Sequence, residues 1–343
     1  MPTSTDVQAF RTGVNGVALG SVGLGGLYQD LPGEAVTIAV ETFETAFPRG
    51  VRLIDTAPWY NNAEDVVGQA LRRVQTPRHE YYLATKVGRY RSDKHPNGEF
   101  DYSRSRIRQS VQDSLAKLGT TYLDVVYLHD VEFVDRDTVL HEAIPALAEL
   151  QAEGVIKLIG ICGYPLDVLD DIVQRSPRPL QVVQSYSHLT LQNDALLTKA
   201  ASWHAKGIVV INAAPLSMGL LTSRGPPAWH PASSALRASC AAALTWLASV
   251  EFATEQQKPS VEGLAIQYAL DAQKEHHNVV TTMVVGSMGE AEVLSSIRAR
   301  DNPSLLSKAH IAKFRQLLGH SYNESWVQDL TCYDAHLLVP PHV

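Results

Sequence analysis

Seven runs in the chain are apolar on both faces of an extended backbone: "VRLIDTA", "YYLATKV", "LDVVYLH", "VIKLIGICG", "QVVQSY", "GIVVINAAPL" and "TTMVVGS". A strand with one wet face alternates apolar and polar residues, so runs without that alternation predict a parallel sheet covered on both sides. Stretches of helical period lie between them, such as Ala63 to Arg73 ("AEDVVGQALRR"), Ser103 to Leu118, and Thr138 to Glu153, the last stopped by Gly154. Alternation of this kind means βαβ units. With "GSVGLGG", Gly20 to Gly26, as a first strand, the total is eight, the number that closes a (β/α)8 TIM barrel. "VNGVAL", just ahead of it, is then expected to form part of an N-terminal β-hairpin capping the barrel bottom.

The rival α/β architecture is an open, doubly wound sheet that binds dinucleotides. Its G-x-G-x-x-G turn is missing: after Gly23 and Gly25 the third glycine position holds Tyr28, and no acid follows at the expected distance. Two segments interrupt the strand-helix rhythm. Residues 217–240 are rich in Pro, Ser and Gly, and residues 319–343 are aromatic and irregular. At the C-terminal face of a barrel such long segments would wall a substrate pocket. The expectation is therefore one barrel domain over residues 1–343, with 217–240 and 319–343 as its pocket walls.

Composition agrees with this. The chain has 343 residues, 45% hydrophobic and 19% charged, which suits a barrel of roughly 250 residues with elaborated loops. A net charge of −7 without long runs of one sign gives no footprint for nucleic acid or an anionic membrane. The start, "MPTSTDVQAFRTG", has no basic and then apolar pattern, and no stretch of ~20 apolar residues could span a bilayer, so a cytoplasmic protein is expected. Cys162, Cys240 and Cys332 lie too far apart for a zinc or disulfide pattern. No metal site is expected, because in "HEAIP" at His141 a proline takes the second histidine's place, while His276 and His277 suit a solvated helix end.

Three of the apolar runs end on chemistry. Asp55 closes "VRLID", Lys86 follows "YYLAT", His129 closes "LDVVYLH", and Tyr60 stands on the loop behind Asp55. Taken singly, each has an ordinary reading: Asp55 as a helix cap, Lys86 as a surface residue, Tyr60 and His129 as packed rings. In a barrel, however, these strand ends share one rim, and Asp55 would meet Lys86 beside the Tyr60 hydroxyl. A free tyrosine has a pKa of about 10, and a neighbouring ammonium lowers it by stabilising the phenolate. Tyr60 then serves as an acid or base while His129 orients a substrate oxygen. Proton exchange at an oxygen suits hydride transfer at the attached carbon, which implies a nicotinamide partner.

D-T-A-x-x-Y at Asp55 to Tyr60, a strand ending T-K at Lys86 and one ending Y-L-H at His129 together resemble the aldo-keto reductases over nearly the whole chain. "TKVGR", "FDYSR", "TTYLDVVYLHDVEFV", "GVIKLIGICGYP" and "LQNDALL" are similar to the fungal NAD-dependent D-arabinose 1-dehydrogenases and the plant L-galactose dehydrogenases. The resemblance implies oxidation of an aldose at C1 to a lactone. It assigns Tyr60 as acid/base, Lys86 and Asp55 as its tuning pair, and His129 as substrate orienter.

For the cofactor, the resemblance implies that Gln184 contacts the carboxamide, while Leu216, Ser217, Gly219, Leu220, Gly286 and Ser287 wrap the pyrophosphate. Two places depart from the family pattern: Cys162-Gly163 stands for Ser-Asn, and Ala213 for an aromatic that would stack on the nicotinamide. NADP-preferring members carry a Lys before the serine of "GSMG" and an Arg five residues after it, where this chain has Gly286 and Glu292. NAD is therefore the expected cofactor, with NADP possible, and the enzyme is expected to be monomeric with a small-molecule substrate. Two alternatives stay open: a reductase of a non-sugar aldehyde or ketone, and a non-enzymatic nicotinamide-binding subunit.

Overall fold

A computed structural model describes residues 2–14, 16–26, 33–92, 95–228, 230–252, 259–287 and 289–326. Cys332 and the tail beyond residue 326 lie outside them. Ten strands occur among these residues. Eight are parallel and close a barrel: β1 (Gly16–Gly20), β2 (Leu53–Asp55), β3 (Tyr82–Val87), β6 (Leu123–His129), β7 (Ile156–Gly163), β8 (Val182–Tyr186), β9 (Val209–Ala213) and β10 (Thr282–Gly286), with β10 paired back onto β1. The other two, β4 (Arg89–Ser92) and β5 (His95–Phe100), form an antiparallel hairpin that leaves the barrel after β3.

Period two decides what each strand offers to the inside. Leu53 and Asp55, Ala84 and Lys86, Val125, Tyr127 and His129, and Val182 and Gln184 are successive alternate positions, and the apolar members of these sets pack together as the barrel interior. Gly160 takes its place there because of volume: a Cβ on it would lie 2.5 Å from the Tyr127 ring. The outward residues, among them Ile54, Leu83, Val126, Ile159 and Val210, join the helices in the main core. Both faces are therefore buried, as the apolar runs predict.

The beginning of the chain differs from expectation. The first barrel strand is "GVALG", earlier than the expected Gly20 to Gly26, and Val22 to Gly26 form turns. Among the described residues no hairpin precedes it. Helix Ser4–Gly13 stands there, opened by a capping box in which Thr3 and Asp6 exchange hydrogen bonds. It plugs the barrel bottom: Phe10 packs edge-on against Tyr82, and Arg11 donates to the carbonyls of Gly207 and Ile208 at 3.0 and 3.2 Å.

The second correction concerns residues 217–240, since helix Ser234–Ser249, capped by Ser233, takes up their last part. Residues 138–153 are helical as expected, but through a π-turn at Val139–Ala143 ahead of Pro145. A proline has no N–H to give, and the widened turn accommodates that loss.

Candidate active site

The strand ends bring Asp55, Lys86, His129, Cys162 and Gln184 to one mouth. Asp55 is in register with Ala84, so Lys86, two residues on, reaches over it from the next strand, and His129, Cys162 and Gln184 follow on β6, β7 and β8. Lys86 and Asp55 form a close ion pair. The ammonium also donates to the Thr56 carbonyl at 3.0 Å, and Gln184 Nε2 donates to the other Asp55 oxygen at 2.9 Å. Asp55 is thus no helix cap. With Lys86 1% and Asp55 3% exposed, the pair persists because each charge and its hydrogen bonds are met.

Tyr60 stands over this pair. Its ring centroid lies 4.8 Å from Lys86 Nζ and 5.8 Å, edge-on, from the His129 ring. Burial raises the pKa of the phenol above the usual tyrosine value, and the Lys86 charge opposes that without overcoming it. Burial also works against the Lys86 ammonium, but Asp55 and then Tyr60 outweigh it and lift that pKa. His129 is depressed to about 3, first by burial and then by Lys86 and Arg89, with Asp130 pulling the other way. The site therefore holds a protonated phenol, an ammonium and a neutral imidazole. It can exchange one proton at a substrate oxygen, with the charge of Lys86 lowering the cost of the phenolate.

The Tyr60 loop is fixed from two sides. Ala63 N donates to the Tyr60 carbonyl at 3.0 Å, and in helix Ala63–Leu71 the buried Glu64 accepts hydrogen bonds from Thr85 and Ser114, both at 2.7 Å. On the other side Gly25 presses against the loop. A Cβ there would lie 2.0 Å from the Tyr60 carbonyl oxygen and 3.0 Å from the Ala63 Cβ. Gly25→Ala should consequently displace Tyr60, and we expect kcat to fall by up to about a hundredfold, the scale of a 1 Å misplacement. Steady-state kinetics beside a thermal melt check it; unchanged kcat in a folded variant would contradict it.

Sequence reasoning gave no catalytic role to four residues that the structure places here. Arg89, at the start of β4, forms a buried ion pair with Asp130, the residue after His129, and Tyr102 donates its hydroxyl to the His129 carbonyl. Cys162 lies in register with His129, and burial pushes its thiol well above the normal value, so it stays protonated and unreactive. His129, Asp130 and Cys162 bring metal-type ligand atoms within 4.8 Å of one another, but Arg89 already meets the carboxylate's charge.

The cofactor candidates surround the same mouth. Ser217, Met218 and Gly219 form a tight turn with positive φ. The amides of Ser217, Gly219 and Leu220 are engaged inside it, to Ala214, Leu216 and Ser217 carbonyls, so these three donors are already satisfied within the protein. Side chains supply the polar surface instead: the hydroxyls of Ser21, Thr56, Ser187 and Ser217, all beyond strand ends, are buried with no partner among the described residues. Orphaned hydroxyls ask for a polar ligand. Together with the space over Gly286, where a Cβ would meet nothing among the described residues within 4 Å, they fit a dinucleotide. Ser287 closes β10 through its amide to the Gly20 carbonyl at 3.2 Å, and Glu292 is exposed in the first turn of helix Glu290–Asp301. Ala213 is half-buried, and its register partner is Tyr186, whose ring lies 5.0 Å from that of Tyr164.

The described parts of both irregular segments, the second as far as Trp326, close over this face. His230 Nδ1 accepts from Ala232 N at 3.0 Å, which leaves Nε2 to donate to the Ser217 carbonyl at 3.0 Å and pins the loop to the turn. Gln192 holds the tail through the Ser321 and Glu324 carbonyls, both at 3.0 Å, and Trp326 stacks on Tyr164 at 4.9 Å. The "LQND" segment is thus the clasp of the tail.

A closed parallel barrel with an acid, a lysine, a tyrosine and a histidine at its C-terminal mouth defines an oxidoreductase barrel. Residues 17–318 match the Aldo/keto reductase family, and the chain belongs to it; these are NAD(P)-dependent oxidoreductases. L-galactose dehydrogenase of Arabidopsis thaliana is 36% identical over 289 residues, covering 83% of this chain and 84% of that one. D-arabinose 1-dehydrogenase of Saccharomyces cerevisiae is 37% identical over 267 residues, 75% of each. Among solved structures, an aldo-keto reductase of Bacillus halodurans in its holo form superposes with a TM-score of 0.68 at 26% identity, over 90% of this chain and 92% of that one. No helix among the described residues is long and apolar enough to cross a membrane.

Proposed function

We propose that the protein is an NAD-dependent aldose 1-dehydrogenase that oxidises a sugar of the D-arabinose or L-galactose type at C1 to the lactone. The observation that carries the reading is the buried Asp55–Lys86 pair lying against Tyr60 with neutral His129 edge-on to it. The two aldose dehydrogenase relatives support the substrate class. In this reading the acceptor is the ionised fraction of Tyr60: its phenolate, steadied by Lys86, takes the proton of the anomeric hydroxyl as the C1 hydride leaves, and Asp55 fixes Lys86. His129 orients the oxygen, since a neutral imidazole donates a hydrogen bond without adding a second acid. When bound, the nicotinamide supplies the hydride acceptor. Gln184 and the orphaned hydroxyls of Ser21, Ser187 and Ser217 are the groups that would hold the dinucleotide.

NAD rather than NADP is inferred from Gly286 and Glu292, which put no cation where a 2′-phosphate would need one. The barrel with its walls, residues 217–240 and 319–343, acts as a single catalytic domain, working in the cytosol as a monomer. A panel of aldoses with both nicotinamides tests the reading. NADH formation from D-arabinose or L-galactose is expected, with NAD favoured, and Glu292→Arg should narrow the gap. Equal or better use of NADP would overturn the cofactor assignment.

A second reading has one observation in its favour: Tyr164, Tyr186 and Trp326 make the rim aromatic, which also suits an apolar aldehyde or ketone. Far higher kcat/KM for reduction of such carbonyls than for any sugar would favour it. Negligible turnover of every substrate with NAD(H) still bound would favour the nicotinamide-binding subunit.

A further inference from the structure

His129 lies among charges of both signs. Tyr60 faces it from the loop after β2, Lys86 from β3, Arg89 from β4, Cys162 from β7, and Asp130 on its own strand end brings a carboxylate oxygen to 3.7 Å from Nε2. An uncompensated carboxylate at that distance would draw a proton onto the imidazole. Arg89 meets it in an ion pair with both side chains buried, its guanidinium held 4.1 Å over the Trp59 ring and 5.4 Å from the Phe100 ring. Asp130 holds φ +57, in the left-handed region that a side chain adopts at a cost, and strain of that kind gathers at functional sites. A buried ion pair adds little net stability over apolar packing, so stability alone is a poor reason to keep both.

We propose that Arg89 is a positioning residue for the reaction: by holding the Asp130 carboxylate it keeps His129 neutral, leaving Tyr60 as the one group that exchanges a proton with the substrate. The inference rests on the roles given to Tyr60 and His129 above. The low value of His129, about 3, agrees with it: burial dominates, and Lys86 and then Arg89 work against the pull of Asp130. Behind Asp130, Glu132 is pushed up to about 8 by burial and by Asp130 itself, so below that pH it adds no negative charge.

The test is a pH profile of the full chain with NAD. In Arg89→Gln, kcat/KM should gain a second acid limb, falling about a further tenfold per pH unit below a break between about pH 5 and 8, where a histidine titrates. The parent should have no such second limb, only the rise that follows Tyr60 ionisation. Arg89→Lys should suppress the second limb, and so should Arg89→Gln combined with Asp130→Asn, which removes the carboxylate. A loss in Arg89→Gln that is equal at all pH, or a second limb that survives in the double variant, would overturn the proposal. Imidazole ¹H–¹⁵N shifts, assigned with His129→Gln, read the same point without turnover. His129 should stay neutral in the parent down to about pH 5 and titrate above that in Arg89→Gln. A parent His129 that titrates between those limits refutes the proposal without any variant, whereas the expected titration with no aldose turnover refutes only the substrate reading.

Discussion

Replacing Tyr60 by Phe should leave the fold and NAD binding in place and lower kcat by about two to four orders of magnitude, the usual scale for a positioned proton donor. The ring packs on His129 and the Lys86 ammonium through its face and edge, and phenylalanine keeps those surfaces. Only the hydroxyl goes. Fluorescence titration with NADH beside steady-state kinetics separates binding from chemistry; activity within a few-fold of the parent would remove Tyr60 from its role.

Lys86→Met should do comparable damage for a different reason. It strips the Asp55 carboxylate of its buried partner, at a cost of about 3–5 kcal/mol, and strips Tyr60 of the charge that opposes burial. The phenol pKa, already raised, climbs further. The sign follows: Tyr60 gives up its proton only at higher pH, so aldose oxidation should lose rate and its rising limb should move upward. A melt read with the pH profile tests both parts. A variant as stable as the parent, with the limb unmoved, would contradict the electrostatic account.

Much of the centre was legible because the strand ends name their own chemistry. Once "VRLID", "YYLATK" and "LDVVYLH" are strands of one barrel, period two sends Asp55, Lys86 and His129 inward together. Legibility failed where local signals conflict. "GSVGLGG" looked like the strand that completes the count, yet glycine is a poor strand former, and the apolar residues of "GVALG" make the better β1. Helix Ser4–Gly13 carried its own signal, Thr3 and Asp6 at capping-box spacing with Val7, Phe10 and Val14 on one face, and the expected hairpin left no room for it. The Arg89–Asp130 pair spans 41 positions, and no local pattern announces an ion pair made by a hairpin folding back over a rim.

The central claim is that a hydride leaves C1 of an aldose at this site, and deuterium at that carbon follows it. With D-arabinose or L-galactose deuterated at C1, NAD and the purified protein, the label should appear in the reduced nicotinamide as the lactone or its aldonic acid forms, and Tyr60→Phe should suppress both together. Oxidation that leaves the deuterium on the sugar product, or no label transfer from either aldose while a non-sugar carbonyl is reduced rapidly, would contradict the account.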